Sequence, residues 1–193
     1  MLNMIIEILI SLVILIPIFG VLNKVRFQNA KETISYFVFA VYLSAVYLFV
    51  GMPTLQFMRF DLSLTLMPFL PMITDIKSTI LNVFLFVPLG ILLPFLWKRY
   101  DALKDTLLLG SALSLSIELL QILTYRTTDI NDIITNTLGT ASGYYIFRVT
   151  SRIIPSVTGS ARKKNELAVI ILSVFITMFF VQPYIATLYY KIV

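Results

Sequence analysis

The chain has 193 residues, of which 59% are hydrophobic and 13% charged, with a formal net charge of +5 and neither Cys nor His. A soluble domain carries about 25% charged and 45–50% apolar residues, so the composition excludes that class. The missing Cys and His exclude a disulfide framework, a thiolate nucleophile and a His-based zinc site.

A helix needs about 20 mostly apolar residues to cross a bilayer. The first such segment, residues 4–22, carries Glu7 with no basic run before it, so it reads as a retained span rather than a signal peptide. The second covers about residues 33–52. Residues 53–75, "PTLQFMRFDLSLTLMPFLPMITD", are apolar but interrupted by Pro53, Pro68 and Pro71. Proline inside a helix costs about 3 kcal/mol, so this stretch reads as a re-entrant or interfacial outer loop. The third span runs from about Ser78 to Trp97 and the fourth over about 104–125. The fifth starts near Asp129 or Asn131 and ends near Phe147, and the sixth covers about 167–190. The expected fold is all-α, a polytopic transmembrane helical bundle of about six spans.

Lys and Arg in short loops stay on the cytoplasmic side. Eleven of the fifteen basic residues fall in the first, third and fifth loops. Those loops are therefore expected in the cytoplasm and both termini outside it. Trp97 and Tyr100, beside Lys98 and Arg99, suggest an aromatic belt at the cytoplasmic end of the third span. Loop placement also explains the net charge, so no nucleic-acid partner is implied. The bilayer itself is the expected partner, and nothing in the sequence sets an oligomeric state.

The polar residues of the later spans are patterned. In the fourth, Ser114, Glu118, Gln121 and Tyr125 recur at helical spacing and share one face. In the fifth, Asp129, Asp132, Asn136 and Thr140 do the same. Gly139 and Gly143 form G-x-x-x-G, which permits close helix approach. In the third, Asn82 lies toward the outer end, and Pro88 removes a backbone donor. A carboxylate at the bilayer centre costs about 2.5–3.5 kcal/mol on insertion scales, so such groups face a partner or a watery cavity. Asn82, Glu118, Gln121, Asp129, Asp132 and Asn136 are thus expected to line one outward-facing pocket, with Arg126 at its rim. Plainer readings stand beside this one. Asp129 and Asp132 suit a helix start, Gln121 and Asn82 suit interhelical hydrogen bonds, and Arg126 suits an interfacial anchor.

This ordered set resembles the VanZ-like family of membrane proteins, named for a teicoplanin-resistance protein. The pattern is Asn82, then Phe86-Val87-Pro88-Leu89-Gly90, then Glu118 and Gln121, then Arg126, Asp129, Asp132, Asn136-Thr137, Gly139 and Gly143. "LTLMPF" is similar to the family's N-L-I-P-F stretch, with Thr65 where that stretch has Asn. The resemblance covers about residues 62–148 and divides the chain into three parts. Residues 1–61 form an N-terminal pair of spans with the outer loop, 62–148 the core, and 149–193 a basic loop and a last span. It implies a multi-pass protein of the bacterial plasma membrane, linked to the cell envelope and in some members to glycopeptide tolerance.

Three functions fit these residues. A binding protein would hold an envelope lipid or lipid-linked ligand in the pocket, with Arg126 on phosphate and the Asp and Asn groups on sugar or amine. An intramembrane enzyme would use Glu118 as general acid or base, with Asp129 and Asp132 on a divalent cation such as Mg²⁺. No cofactor is otherwise called for. A transporter would show a duplicated half or paired broken helices, and the sequence has neither. The orientation is checked by placing Cys at Thr127 or Ser160 in this Cys-free chain and adding an impermeant thiol reagent to intact cells. Labelling at Thr127 alone is expected, and labelling at Ser160 alone would invert the topology.

Overall fold

The computed structural model describes residues 2–60, 64–65, 69–124, 127–153 and 165–192. Eight α-helices occur among them: α1 (Leu2–Leu22), α2 (Ala30–Phe49), α3 (Leu70–Thr74), α4 (Ile76–Leu96), α5 (Leu103–Gln121), α6 (Ile130–Ile153), α7 (Glu166–Ile176) and α8 (Gln182–Ile192). Two short strands, β1 (Leu64–Thr65) and β2 (Thr128–Asp129), complete the set. The fold is all-α, and the chain divides into two compact units, Met1–Met58 with Lys163–Val193, and Arg59–Arg162.

Four helical stretches are long and apolar enough to cross a membrane: Asn3–Phe27, Ala30–Phe49, Ile76–Leu96 and Glu166–Ile192. Among the described residues, these four of the six expected spans meet that test of length and hydropathy. Helices α5 and α6 have the length, with 19 and 24 residues. Their composition sets them apart, because Ser, Thr, Asn, Glu and Gln fill the face that each buries.

In the first unit, α2 begins at Asn29, whose side chain accepts the Lys31 and Glu32 N–H groups at 3.1 and 3.3 Å. This satisfies two of the donors that a helix start leaves open. Leu15, Phe19, Tyr36, Phe39, Ile170 and Met178 form the buried core. Within it the Tyr36 hydroxyl donates to Glu166, giving a buried carboxylate a partner. Between α7 and α8 the chain makes one π-helical turn, Thr177–Val181. Pro183 follows four residues after Phe179 and has no N–H to offer the Phe179 carbonyl. The Leu55 N–H supplies that bond instead, at 3.0 Å. A proline in the last helix therefore anchors the turn that follows α2.

In the second unit the closest approach is between α4 and α6. A methyl group added at Gly143 would overlap the Val87 carbonyl, one at Gly139 the Val83 carbonyl, and one at Gly90 the Thr140 carbonyl. The two backbones pass too closely for any side chain at these positions. Gly110 of α5 is likewise set against the Thr140 side chain, whose hydroxyl would lie 2.6 Å from an added Cβ. Helix α4 continues through both Pro88 and Pro94.

Asp75 caps its first turn, accepting the Ser78 hydroxyl at 2.7 Å and the Ser78 N–H at 3.1 Å. These bonds hold the Asp75 carboxyl below the usual carboxylate range. At the other end Trp97 is only 3% exposed, so it packs inward and does not form the expected aromatic belt. Tyr100 is half-buried, with the Arg99 guanidinium 5.9 Å from its ring centroid. The turn there is tied to α6 by the Tyr144 hydroxyl, 2.8 Å from the Asp101 carbonyl, and by an Arg148–Asp101 ion pair of 2.9 Å.

One substitution made at two places tests the α4–α6 contact. Gly143→Ala is expected to lower the thermal midpoint in detergent, in line with the roughly 1–3 kcal/mol of overpacking a tight core. Gly20→Ala, where nothing lies within 4 Å of the added methyl, is expected to raise it slightly, because Ala is the better helix former by roughly 0.5–1 kcal/mol. Equal effects at both positions would contradict the backbone contact.

Candidate functional site

The polar residues singled out by spacing meet where α4, α5 and α6 come together in the second unit. The start of α6 organises them. Asp129 precedes its first residue, and the Asp129 Oδ1 accepts the Asn131 N–H at 2.8 Å and the Asn131 Nδ2 at 2.7 Å. This is the N-cap arrangement, in which a carboxylate satisfies an open helix donor. The Asp129 N–H is itself held, donating to the Glu118 Oε2 at 2.8 Å. The Thr128 hydroxyl donates to the Glu118 carbonyl at 3.1 Å. Glu118, 2% exposed, thus fastens the end of α5 to the start of α6.

The segment between α2 and α4 joins at the same place. β1 pairs in parallel with β2, with Leu64 opposite Thr128 and Thr65 opposite Asp129. The Arg59 N–H donates to the Leu123 carbonyl at 2.9 Å. The Phe69 N–H donates to the Asn131 Oδ1 at 2.8 Å. Phe69 has φ 67°, a left-handed conformation that costs a bulky residue of order 1–3 kcal/mol. The bond to a buried Asn131 side chain helps to hold it.

Two further pairs run along α6. Asn82 of α4 donates through Nδ2 to the Asp132 Oδ1 at 2.7 Å, and both residues are half-buried. One turn deeper the Asn136 Nδ2 donates to the Ser114 hydroxyl of α5 at 2.9 Å. The Asn136 Oδ1 is buried and has no hydrogen-bond partner among the described residues. An unmet buried polar group costs about 1–3 kcal/mol.

Gln121 is buried at the end of α5, where its carbonyl accepts the Thr124 hydroxyl at 2.8 Å. Arg126 lies outside the described residues, as does Tyr125. Pro88 sits inside α4, while Gly90, Gly139 and Gly143 line its contact with α6. Asp129 and Asp132 turn to different partners, the first to Asn131 and the second to Asn82. Among the described residues no three carboxylates converge as a metal site.

Spacing alone missed three things. Asn131, 3% exposed, links Asp129 to the outer loop, and its only signal was an Asn two residues after a capping Asp. Ser111 and Thr137 share a hydrogen bond of 3.0 Å between α5 and α6. Gly110 fits under Thr140, with no second glycine at helical spacing to mark it.

Apolar helices of membrane-crossing length and a buried polar junction define an integral membrane protein. The chain belongs to the VanZ-like family: the family model described as VanZ/LLP1 matches residues 8–152. The match runs from within α1 to the end of α6 and so reaches well before residue 62, where the motif resemblance begins. Comparison with curated proteins and with solved structures returned no match.

A double-mutant cycle on Asn82→Ala and Asp132→Ala measures the link between α4 and α6. A hydrogen bond to a charged group is worth about 1.5–3 kcal/mol, so a coupling of that order is expected in thermal or denaturant unfolding. Strict additivity would show that the pair contributes nothing.

Proposed function

We propose that this VanZ-like protein is a multi-pass protein of the bacterial plasma membrane that binds an envelope lipid or lipid-linked ligand at the α4–α5–α6 junction, and so changes susceptibility to glycopeptides such as teicoplanin. The single observation that carries the reading is the buried, unmatched Asn136 Oδ1. An acceptor left open inside a membrane bundle calls for a donor that the described residues do not supply. A sugar hydroxyl or an amide N–H of a headgroup is such a donor. Asp132 and Asn82 stand one turn nearer the proposed outer face and offer the next contact along the same stripe. Asp129, Asn131 and Glu118 are spent on the helix start and the loop. They therefore shape the wall more than they touch the ligand.

In this reading α5 and α6 cross the membrane with the four apolar helices, giving six spans, both termini outside and the basic loops in the cytoplasm. Their polar faces are tolerable because they turn toward α4 and each other, away from acyl chains. An enzymatic role would use Glu118 as acid or base, while its Oε2 accepts the Asp129 N–H; the reading preferred here is binding. Arg126 is a rim group for phosphate in this proposal.

The test is complementation of a deletion strain, read as teicoplanin susceptibility at matched membrane levels of protein. Asp132→Asn keeps the shape and removes the charge, and Glu118→Gln does the same deeper in the junction. For Asp132→Asn, loss of a charge-assisted contact of about 1.5–3 kcal/mol lowers affinity roughly tenfold to a hundredfold; Glu118→Gln weakens the acceptor that holds the Asp129 N–H and so the wall of the site, and both variants are expected to fail. Full rescue by both would make the junction purely structural.

A further inference from the structure

The first unit holds a cavity of about 390 Å³, lined among others by Glu7, Tyr47, Thr54, Phe57, Gln182 and Tyr190. Its volume is in the range of small-ligand pockets, about 300–1,000 Å³. Three features distinguish it from a packing gap. First, Glu7 is a carboxylate on a helix long and apolar enough to span a membrane, and among the described residues it makes no ion pair. Second, the Thr54 hydroxyl is buried and has no hydrogen-bond partner among the described residues. Third, no Lys or Arg lines the cavity.

The walls are also held in place. Gly51, with φ 63°, turns the chain after α2, and the Leu55 N–H fastens this turn to the Phe179 carbonyl of the π-helical turn. The Tyr47 hydroxyl donates to the Pro53 carbonyl. Gln182, only 3% exposed, follows directly from the π turn, and such turns inside helices are frequent at functional sites. The cavity is therefore a built feature of the segments around α2 and α8.

We propose that this cavity is a binding site for an amphiphile with an ammonium headgroup. The lining offers an acid and no base, so it selects a cation over an anion. A carboxylate in a medium of low dielectric gains most from a charge-assisted hydrogen bond. The open Thr54 hydroxyl can take a further polar atom of the headgroup. Tyr47, Phe57 and Tyr190 bring aromatic rings, which attract ammonium groups. The remaining lining, including Met52, Pro183 and Ala186, is apolar and suits the hydrocarbon part. The site is separate from the α4–α5–α6 junction and does not depend on the function proposed for it.

The full-length protein is purified in mild detergent and given an equimolar mixture of phosphatidylethanolamine and phosphatidylglycerol. Retained lipid is then read by native mass spectrometry. Wild type is expected to prefer phosphatidylethanolamine, and Glu7→Gln to lose about tenfold of that preference, the low end for a charge-assisted contact. Glu32→Gln makes the same charge change outside the cavity and should leave the preference as in wild type. Thr54→Val should weaken phosphatidylethanolamine retention without lowering the thermal midpoint, since it removes an unmatched hydroxyl. A lack of preference in wild type, or an unchanged preference in Glu7→Gln, overturns the proposal. Soluble phosphoethanolamine should not displace the lipid; displacement would show that the headgroup alone binds and overturn the amphiphile assignment.

Discussion

The second unit depends on the close approach of two backbones. Gly90, Gly139 and Gly143 remove the side chains that would keep α4 and α6 apart, and carbonyls of each helix lie where those side chains would be. Association in a membrane gains little from burying apolar surface, because lipid is as apolar as the helix. Close van der Waals packing and polar bonds between helices must supply the attraction. The glycines make the first available. By shortening the distance they also make the second available, since Asn82 reaches Asp132 only when α4 and α6 are adjacent. The polar junction follows from the glycine contact.

That junction has a graded character from its rim inward. At the start of α6, Asp129, Asn131, Thr128 and Glu118 satisfy one another and the outer loop. Each group there meets a defined partner, as buried polar groups must when water is scarce. Beside it, Asn82 and Asp132 form a half-buried hydrogen bond from amide to carboxylate. Another turn in, Asn136 meets Ser114 with one polar atom and no described residue with the other. Within the stripe the unmatched atom is thus on Asn136, while Thr140 beyond it donates to the Asn136 carbonyl at 2.9 Å. That distribution suits a binding site framed by a rigid rim better than a uniformly structural network.

Much of this architecture was legible in the sequence, for identifiable reasons. Helix positions follow from apolar runs and prolines, and family membership from the ordered set between Asn82 and Gly143. Spacing identified which residues share a face, because helical periodicity is local. It could not identify partners that belong to the backbone. Glu118 was read as a pocket-lining carboxylate or general acid or base, and spacing gave no sign that its oxygen accepts the Asp129 N–H. The two-residue pairing of Leu64–Thr65 with Thr128–Asp129 has no periodic signature at all, being too short to carry one. Helices α5 and α6 lack the hydropathy that marks the other four as spans, because they spend their polar residues on each other and on α4. Trp97 misled for a related reason: an indole beside Lys and Arg suggests an interface, yet it is buried here.

A ligand, rather than the fold alone, is held here to explain the open Asn136 acceptor. The most direct measurement is a high-resolution structure of the protein in lipid nanodiscs, purified without stripping native lipid. The account predicts non-protein density larger than a water within about 3 Å of the Asn136 Oδ1, extending toward Asp132. An Asn136 side chain satisfied by a protein donor or by a lone water, with apolar side chains closed over Ser114 and Asp132, would contradict it.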